Sequence, residues 1–255
     1  MNSAEVSHKK LFLPSLAIAS FASGPITVLV ALLLIDIGKT FGTDVGTAGQ
    51  LNTTYSIAAF AFALSTSALS IRFKHKSLLL TGLVLMSVSA IACFLAPDFL
   101  IMHVSYSLSG AGYAMVTPMA FALVGEHVPL EKRATAIGWI VAGGALVYAI
   151  GAPVIALMSG LQGWRFPLLG FVLPILLVSL LLVFLSLPSA SVAHQISTHR
   201  ESYHGSFKEI LVNRSAVACL VGDILRSAAF VAIVLYATSF LDRDSQYPLI
   251  PHHSY

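Results

Sequence analysis

The stretch FPLLGFVLPILLVSLLLVFLSL, Phe166–Leu187, contains no Asp, Glu, Lys or Arg. An α-helix rises about 1.5 Å per residue, so about 20 such residues cross the roughly 30 Å of hydrocarbon in a bilayer. Six further stretches are similarly long and apolar, the last carrying Asp223 and Arg226: Leu11–Ile35, Ala48–Ile71, Ser77–Ala96, Phe99–Val124, Ala134–Ser159 and Ser215–Leu241. A segment entering lipid must satisfy its backbone N–H and C=O groups internally, and runs of this length do so as helices rather than as barrel strands. The sequence therefore predicts an all-α, multi-pass integral membrane protein. Its composition agrees, with 57% hydrophobic and 10% charged residues and a mean hydropathy of +0.87. A soluble domain with one core does not look like this.

The charges orient the chain. Lys9 and Lys10 precede the first stretch, Arg72, Lys74 and Lys76 follow the second, Lys132 and Arg133 the fourth, and Arg200, Lys208 and Arg214 the sixth. The other side receives only Lys39, Arg165 and Arg243. The positive-inside rule then predicts a cytoplasmic N-terminus in the plasma membrane, with the tail after Leu241 outside. Leu11–Ile35 exceeds the 7–15 residues of a signal-peptide core, so the first stretch reads as an uncleaved span. Cys93 and Cys219 lie within spans and offer no disulfide or zinc spacing. The net charge of +3 is explained by these loops. No basic patch with interleaved aromatics points to nucleic acid, and no metal or cofactor motif is present.

Three places resemble the major facilitator superfamily of secondary transporters. After the second span the family usually carries G-x-L-A-D-R-x-G-R-K, and this chain has Ser67-Ala68-Leu69-Ser70-Ile71-Arg72-Phe73-Lys74-His75-Lys76. Leu69, Arg72 and Lys76 match. Ile71 replaces the aspartate, and Ser67 and Lys74 replace the glycines. The resemblance implies a gating loop at Arg72, Lys74 and Lys76. Between the fourth and sixth spans, Pro129-Leu130-Glu131-Lys132-Arg133-Ala134-Thr135-Ala136-Ile137-Gly138, then Gly151-Ala152-Pro153 and Gly163-Trp164-Arg165-Phe166, are similar to the family in order and spacing. The third place is Leu51-Asn52-Thr53-Thr54-Tyr55-Ser56, with Asp36 and Phe41-Gly42 before it. The family normally has twelve helices in two halves, each half made of two inverted three-helix units. The resemblance thus implies a six-helix N-terminal bundle of the major facilitator type plus a seventh transmembrane helix. The expected layout is a bundle at 1–187, a cytoplasmic linker at 188–214, the seventh helix at 215–241 and a polar tail at 242–255.

The helix faces supply candidate site residues. In the fifth span Gly138, Ala142, Ala145, Ala149, Ala152, Ala156 and Ser159 recur in steps of four and three, a small seam suited to close helix packing. The fourth span carries His103, Tyr106, Gly110, Tyr113 and Thr117 as a polar stripe. Such a stripe either faces a water-filled cavity or packs through its hydroxyls. Tyr106 stands where the resembled family often has an arginine associated with proton coupling. Ser20, Ser23 and Thr27 share a face of the first span around Pro25, which interrupts the backbone ladder. They either line a cavity or bond back to their own helix. Asn52 adds a polar contact near the outer end of the second span. Asp223 and Arg226, spaced i and i+3, form an expected ion pair in the seventh.

The expected function is a transporter moving a small organic solute, with efflux of a drug-like molecule or a sugar foremost, by alternating access coupled to H+ or Na+. Its expected partners are the lipid bilayer, the solute, the coupling ion, and a missing C-terminal half or a second copy. Having one half and one helix, the chain reads as incomplete: a truncated chain, a split-gene subunit or a non-functional remnant. A seven-helix receptor matches the helix count but needs its N-terminus outside. An enzyme is not expected, since the chain has no G-x-S-x-G or H-E-x-x-H stretch. It also lacks the G-x-x-x-x-G-K-[ST] loop of an ATP-driven pump.

Overall fold

The computed structural model describes residues 3–70 and 72–186, and all of 212–229 except 216, 220 and 223. The chain divides into two units, Met1–Val192 and Ala193–Tyr255. Among the described residues there are helices and no strands.

The first unit opens with α1 (Ser3–Ser23), α2 (Pro25–Leu32) and α3 (Leu34–Phe41). Proline cannot donate a backbone hydrogen bond, so α1 stops at Ser23 and the chain restarts with Pro25 in the first helical position. The N–H groups of Thr27 and Val28 both reach the Gly24 carbonyl, at 3.1 and 3.2 Å. Gly42 ends α3 in the left-handed conformation, φ 65°, where glycine is unstrained. Asp44 then caps α4 (Val45–Leu69) by accepting from the Thr47 backbone N–H and hydroxyl. Those bonds, the hydroxyl's foremost, hold the Asp44 carboxyl below its usual range. α5 (His75–Leu95) leads into a tight turn where Asp98 accepts from the Ile101 N–H at 2.8 Å and caps α6 (Phe99–His127).

The fifth expected span is one continuous rod: α7 (Leu130–Leu146), a π-helical turn at Val147–Gly151, and α8 (Ala152–Gln162). The sixth has a π turn at Leu168–Val172 followed by α9 (Leu173–Ser186). Each π turn lies just before a proline, Pro153 or Pro174. A proline ring clashes with the carbonyl four residues back and supplies no N–H. A widened turn there absorbs the defect without breaking the helix.

Among the described residues, five helical stretches are long and apolar enough to cross a bilayer: Leu11–Leu32, His75–Leu95, Phe99–His127, Leu130–Gln162 and Leu168–Ser186. They correspond to the first and the third to sixth expected spans. The second becomes α4, long enough at 25 residues but diluted by Gln50, Asn52, Thr53 and Thr54 toward one end and Ser65, Thr66 and Ser67 toward the other. The seventh falls largely outside the described residues. Those described between 214 and 229 are helical, with Asn213 accepting from the Ser215 N–H at 3.0 Å as a start signal.

The helices of the first unit pair in a pattern with internal symmetry. α6 packs against α4 and α5, α1 packs against α7 and α9, and α5 also meets α9. Exchanging the first, second and third spans with the fourth, fifth and sixth maps this set of pairings onto itself. That is the relation expected of two three-helix repeats. The repeat is not visible in the residues themselves.

Candidate functional site

Close approach of helices is what places the polar side chains. Lipid is as apolar as leucine, so helix pairs in a membrane gain from tight van der Waals contact, which small residues permit. At Gly110 a Cβ would lie 2.3 Å from the Tyr55 carbonyl oxygen, so α4 crosses α6 there almost backbone to backbone. At Gly143 a Cβ would lie 2.3 Å from the Ala17 carbonyl oxygen, which sets the α1–α7 crossing in the same way. Gly24 admits Val147, at 2.7 Å from its would-be Cβ, so the break between α1 and α2 nests against the first π turn.

The α4–α6 crossing assembles a tyrosine cluster. Tyr106 is fully enclosed, and its hydroxyl donates to Asn52 Oδ1 at 3.3 Å. Its ring stacks on Tyr55, centroids 5.1 Å apart and planes at 27°, and Tyr55 tilts against Tyr113 at 6.2 Å. Tyr148 lies on the first π turn. Tyr113 and Tyr148 are 39% and 52% exposed. Asn52 is exposed and Thr117 half-buried. The cluster therefore has an inner member, Tyr106, that positions Asn52 and Tyr55, and an open face. No Asp, Glu, Lys or Arg occurs in 46–69 or 99–125, the parts of these helices that carry it.

The other candidates divide. Ser23 is buried and its hydroxyl donates to the Ser20 carbonyl at 2.8 Å. The Thr27 hydroxyl donates to the Gly24 carbonyl at 2.6 Å. Ser20 is buried against Gly144. The reading in which this trio bonds within its own helix is the one realised for Ser23 and Thr27. His103 Nδ1 lies 3.2 Å from the Phe99 carbonyl and its ring meets Phe99 edge-on, near the start of α6. The small seam lies on the outer face of the rod: Gly138, Ala142, Ala145, Ala149 and Ala156 are exposed, and Ala152 and Ser159 are partly buried. Close packing inside the unit uses the opposite face instead, with Ala136, Ile140, Gly143, Val147 and Ile155 buried. Asp223 lies outside the described residues, and Arg226 is exposed on its helix.

The loop cations have a role that topology alone did not suggest. Lys76 donates to the Phe184 carbonyl at 3.0 Å and lies 5.5 Å over that ring, tying the start of α5 to the end of α9. Arg133 donates to the carbonyls of Val128, at 3.0 Å, and Gly125, closing the end of α6. Arg165 donates to the Ala96 carbonyl at 2.6 Å, beyond the end of α5, and sits over Phe41 and Trp164. Trp164 donates to the Thr40 hydroxyl at 2.9 Å. A cation at a helix C-terminus satisfies carbonyls that have no intrahelical partner and complements the dipole. Arg72 and Lys74 of the gating-loop candidate are exposed. Next to them His75 Nδ1 lies 2.6 Å from Glu126 Oε1, joining α5 to α6.

Tyr55 and Tyr148 were not among the candidates read from the sequence. The signal for Tyr55 is its place three residues after Asn52, on the same face of α4. Tyr148 lies three residues after Ala145, on the first π turn.

Comparison with known proteins supplies the broader setting. The family model described as "Major Facilitator Superfamily" matches residues 16–249. The chain is 28% identical over 151 residues to the uncharacterized MFS-type transporter YwfA of Bacillus subtilis (strain 168), covering 59% of this chain and 37% of that protein. To the uncharacterized MFS-type transporter YfhI of the same organism it is 27% identical over 150 residues, covering 59% and 38%. The matched part thus spans less than two fifths of either relative.

Proposed function

The chain belongs to the Major Facilitator Superfamily, and from that premise we propose that its first unit lines one side of a solute pathway in a secondary transporter. The observation that carries the reading is the open polar and aromatic face at the α4–α6 crossing, formed by Asn52, Tyr113 and Thr117 on helices with no charged residue in 46–69 or 99–125. Polar side chains at membrane depth are costly against lipid and are accommodated beside a water-filled cavity. The outward faces of α4 and the α7–α8 rod, with Ile57, Phe60, Val141, Leu157 and Leu161 all exposed, offer a surface for a complementary half or a second copy. In this reading the two sides rock about the face and expose it alternately to either side of the membrane.

The solute is a small organic molecule, drug-like or a sugar, moved outward, with H+ or Na+ supplying the energy. The middle of the described helices holds no carboxylate. The coupling group therefore belongs to Asp223 or to the complementary side. The loop cations favour a cytoplasmic N-terminus in the plasma membrane. The test is flux in proteoliposomes carrying the chain together with a complementary half, under an imposed pH or Na+ gradient. Gradient-driven movement of a drug-like or sugar solute is expected. Its absence for both solute classes under both gradients overturns the reading.

A further inference from the structure

We propose that three backbone defects of the first unit form one shared bending layer, about which α2, α3 and α8 move together against α1, α7 and α9. The defects are the break at Gly24, the π turn at Val147–Gly151 and the π turn at Leu168–Val172. At each the regular helical ladder is interrupted. α1 ends at Ser23 and Pro25 restarts the chain, while the Ala152 and Leu173 N–H groups reach back five residues, to the carbonyls of Val147 and Leu168. Helices bend where the ladder is already weakened. Contact makes the three one layer. Val147 fills the space beside Gly24, 2.7 Å from its would-be Cβ. Phe171, within the second π turn, lies 3.7 Å from the would-be Cβ of Gly151, which closes the first. The same ring meets Phe21 of α1 edge-on, centroids 6.5 Å apart. α2 packs against both π turns.

The segments on either side of the layer are tied among themselves. On one side α1 packs against α7 and α9, with the Ala17 carbonyl set against Gly143. On the other, α2 packs against α8, and Trp164 joins the start of the sixth span to α3 through its 2.9 Å hydrogen bond to Thr40 and its ring contact with Phe41. The remaining helices lack such a layer. α4, α5 and α6 run unbroken, and a Cβ on Gly82 would lie 2.8 Å from the Gly112 carbonyl oxygen, so α5 and α6 meet backbone to backbone. α6 takes Pro118 without a π turn. Packed interiors shift between discrete arrangements, so a bend that moves Val147 or Phe171 displaces the neighbouring defect as well. The unit thus joins a stiff trio, α4 to α6, to a hinged trio, the first, fifth and sixth spans. This bending is a property of the unit and is independent of the pathway reading.

Double electron–electron resonance on the full chain in lipid nanodiscs, in a Cys93→Ala/Cys219→Ala background, reads the bending directly. Spin labels at the exposed positions Leu130→Cys and Leu161→Cys span the fifth rod, roughly 45 Å apart at 1.5 Å per residue. Leu11→Cys with Ile35→Cys spans the break at Gly24, and Leu100→Cys with Phe121→Cys on α6 is the stiff reference. In the parent the first two distance distributions should be about twice as wide as the third. Pro153 and Pro174 are exposed, so alanine there empties no packed space and returns a backbone N–H. Pro153→Ala should narrow the rod's distribution by about half and the Leu11–Ile35 distribution by about a third, although that pair lies on another span. Pro174→Ala should narrow both pairs too, and should lose that effect in a Phe171→Ala background. Parent distributions as narrow as the α6 reference overturn the layer, and they do so even where a variant fails to fold. Narrowing of the rod alone by Pro153→Ala overturns the coupling. Narrowing of both pairs by Pro174→Ala with Phe171 gone overturns the part assigned to that ring.

Discussion

The crossing of α4 with α6 and the crossing of α1 with α7 are built alike and furnished differently. Each depends on a glycine whose missing Cβ lets a carbonyl oxygen come within 2.3 Å of the position a side chain would take, Tyr55 at Gly110 and Ala17 at Gly143. The exchange of spans that relates the two halves of the bundle also exchanges these two helix pairs. Around Gly110, however, stand Asn52, Tyr55, Tyr106 and Tyr113. Around Gly143 are Ser20, Val147 and the break at Gly24. The repeat supplies the same scaffold twice, and the two copies carry different side chains at their crossings. Geometry is shared because membrane packing demands it; chemistry is not.

If the two crossings are mechanically equivalent, Gly110→Ala and Gly143→Ala should damage the bundle more than a single substitution at a helix end or on its outer face. The obstructing atom is backbone in both cases and cannot rotate away, so each should cost about 3 kcal/mol, the upper end of ordinary overpacking. Gly138→Ala meets nothing within 4 Å and should change stability by no more than about 0.5 kcal/mol, with helix propensity favouring alanine. Equilibrium unfolding in mixed micelles would measure all three. A clear inequality between Gly110→Ala and Gly143→Ala would break the equivalence, and a costly Gly138→Ala would show that exposed glycines matter as much.

Helix ends sharpen the comparison at a smaller scale. Arg165 is partly buried, and truncating it to alanine strips the Ala96 carbonyl of its donor and removes the rings' cation. A charge-assisted bond of this kind is worth about 1.5–3 kcal/mol. Lys76 makes a similar bond to the Phe184 carbonyl in a more exposed setting, so Lys76→Ala should cost under about 1 kcal/mol. Thermal unfolding of both variants tests the ranking. Equal losses would mean that enclosure by Trp164 and Phe41 adds nothing.

The membrane class and five of the seven expected spans were legible because hydrocarbon imposes a length and an apolarity that a one-dimensional reading detects. The prolines were legible as defects, but whether they break a helix or widen it was not: Pro25 starts a new segment, whereas Pro153 and Pro174 follow π turns. The polar stripe of the fourth span was visible by periodicity, yet periodicity does not say which neighbour a face meets. Tyr106 is therefore enclosed while Tyr113, seven residues on, is open. Cations in loops were read as topology signals and, at Arg72, Lys74 and Lys76, as a gating loop. Their further role, closing helix ends across the bundle, depends on contacts between residues as far apart as Lys76 and Phe184. The small seam is a pattern on one helix face, and a pattern of small residues does not identify the partner it serves.

That seam gives the last and mildest test. Ala145 and Ala149 are exposed on the outer face of the α7–α8 rod, while Gly143 and Val147 on the inner face are packed against α1 and Gly24. Ala145→Leu and Ala149→Leu should therefore leave the folded yield and unfolding of the unit within about 0.5 kcal/mol of the parent, because the added methyl groups meet no neighbour inside it. If the outer face serves a complementary half or a second copy, the same leucines should weaken association by keeping the two backbones apart. Crosslinking or energy transfer in lipid vesicles, read beside unfolding of the same variants, separates the effects. Loss of unit stability would place the seam inside the bundle after all, and unchanged association would leave the outer face without a partner in these vesicles.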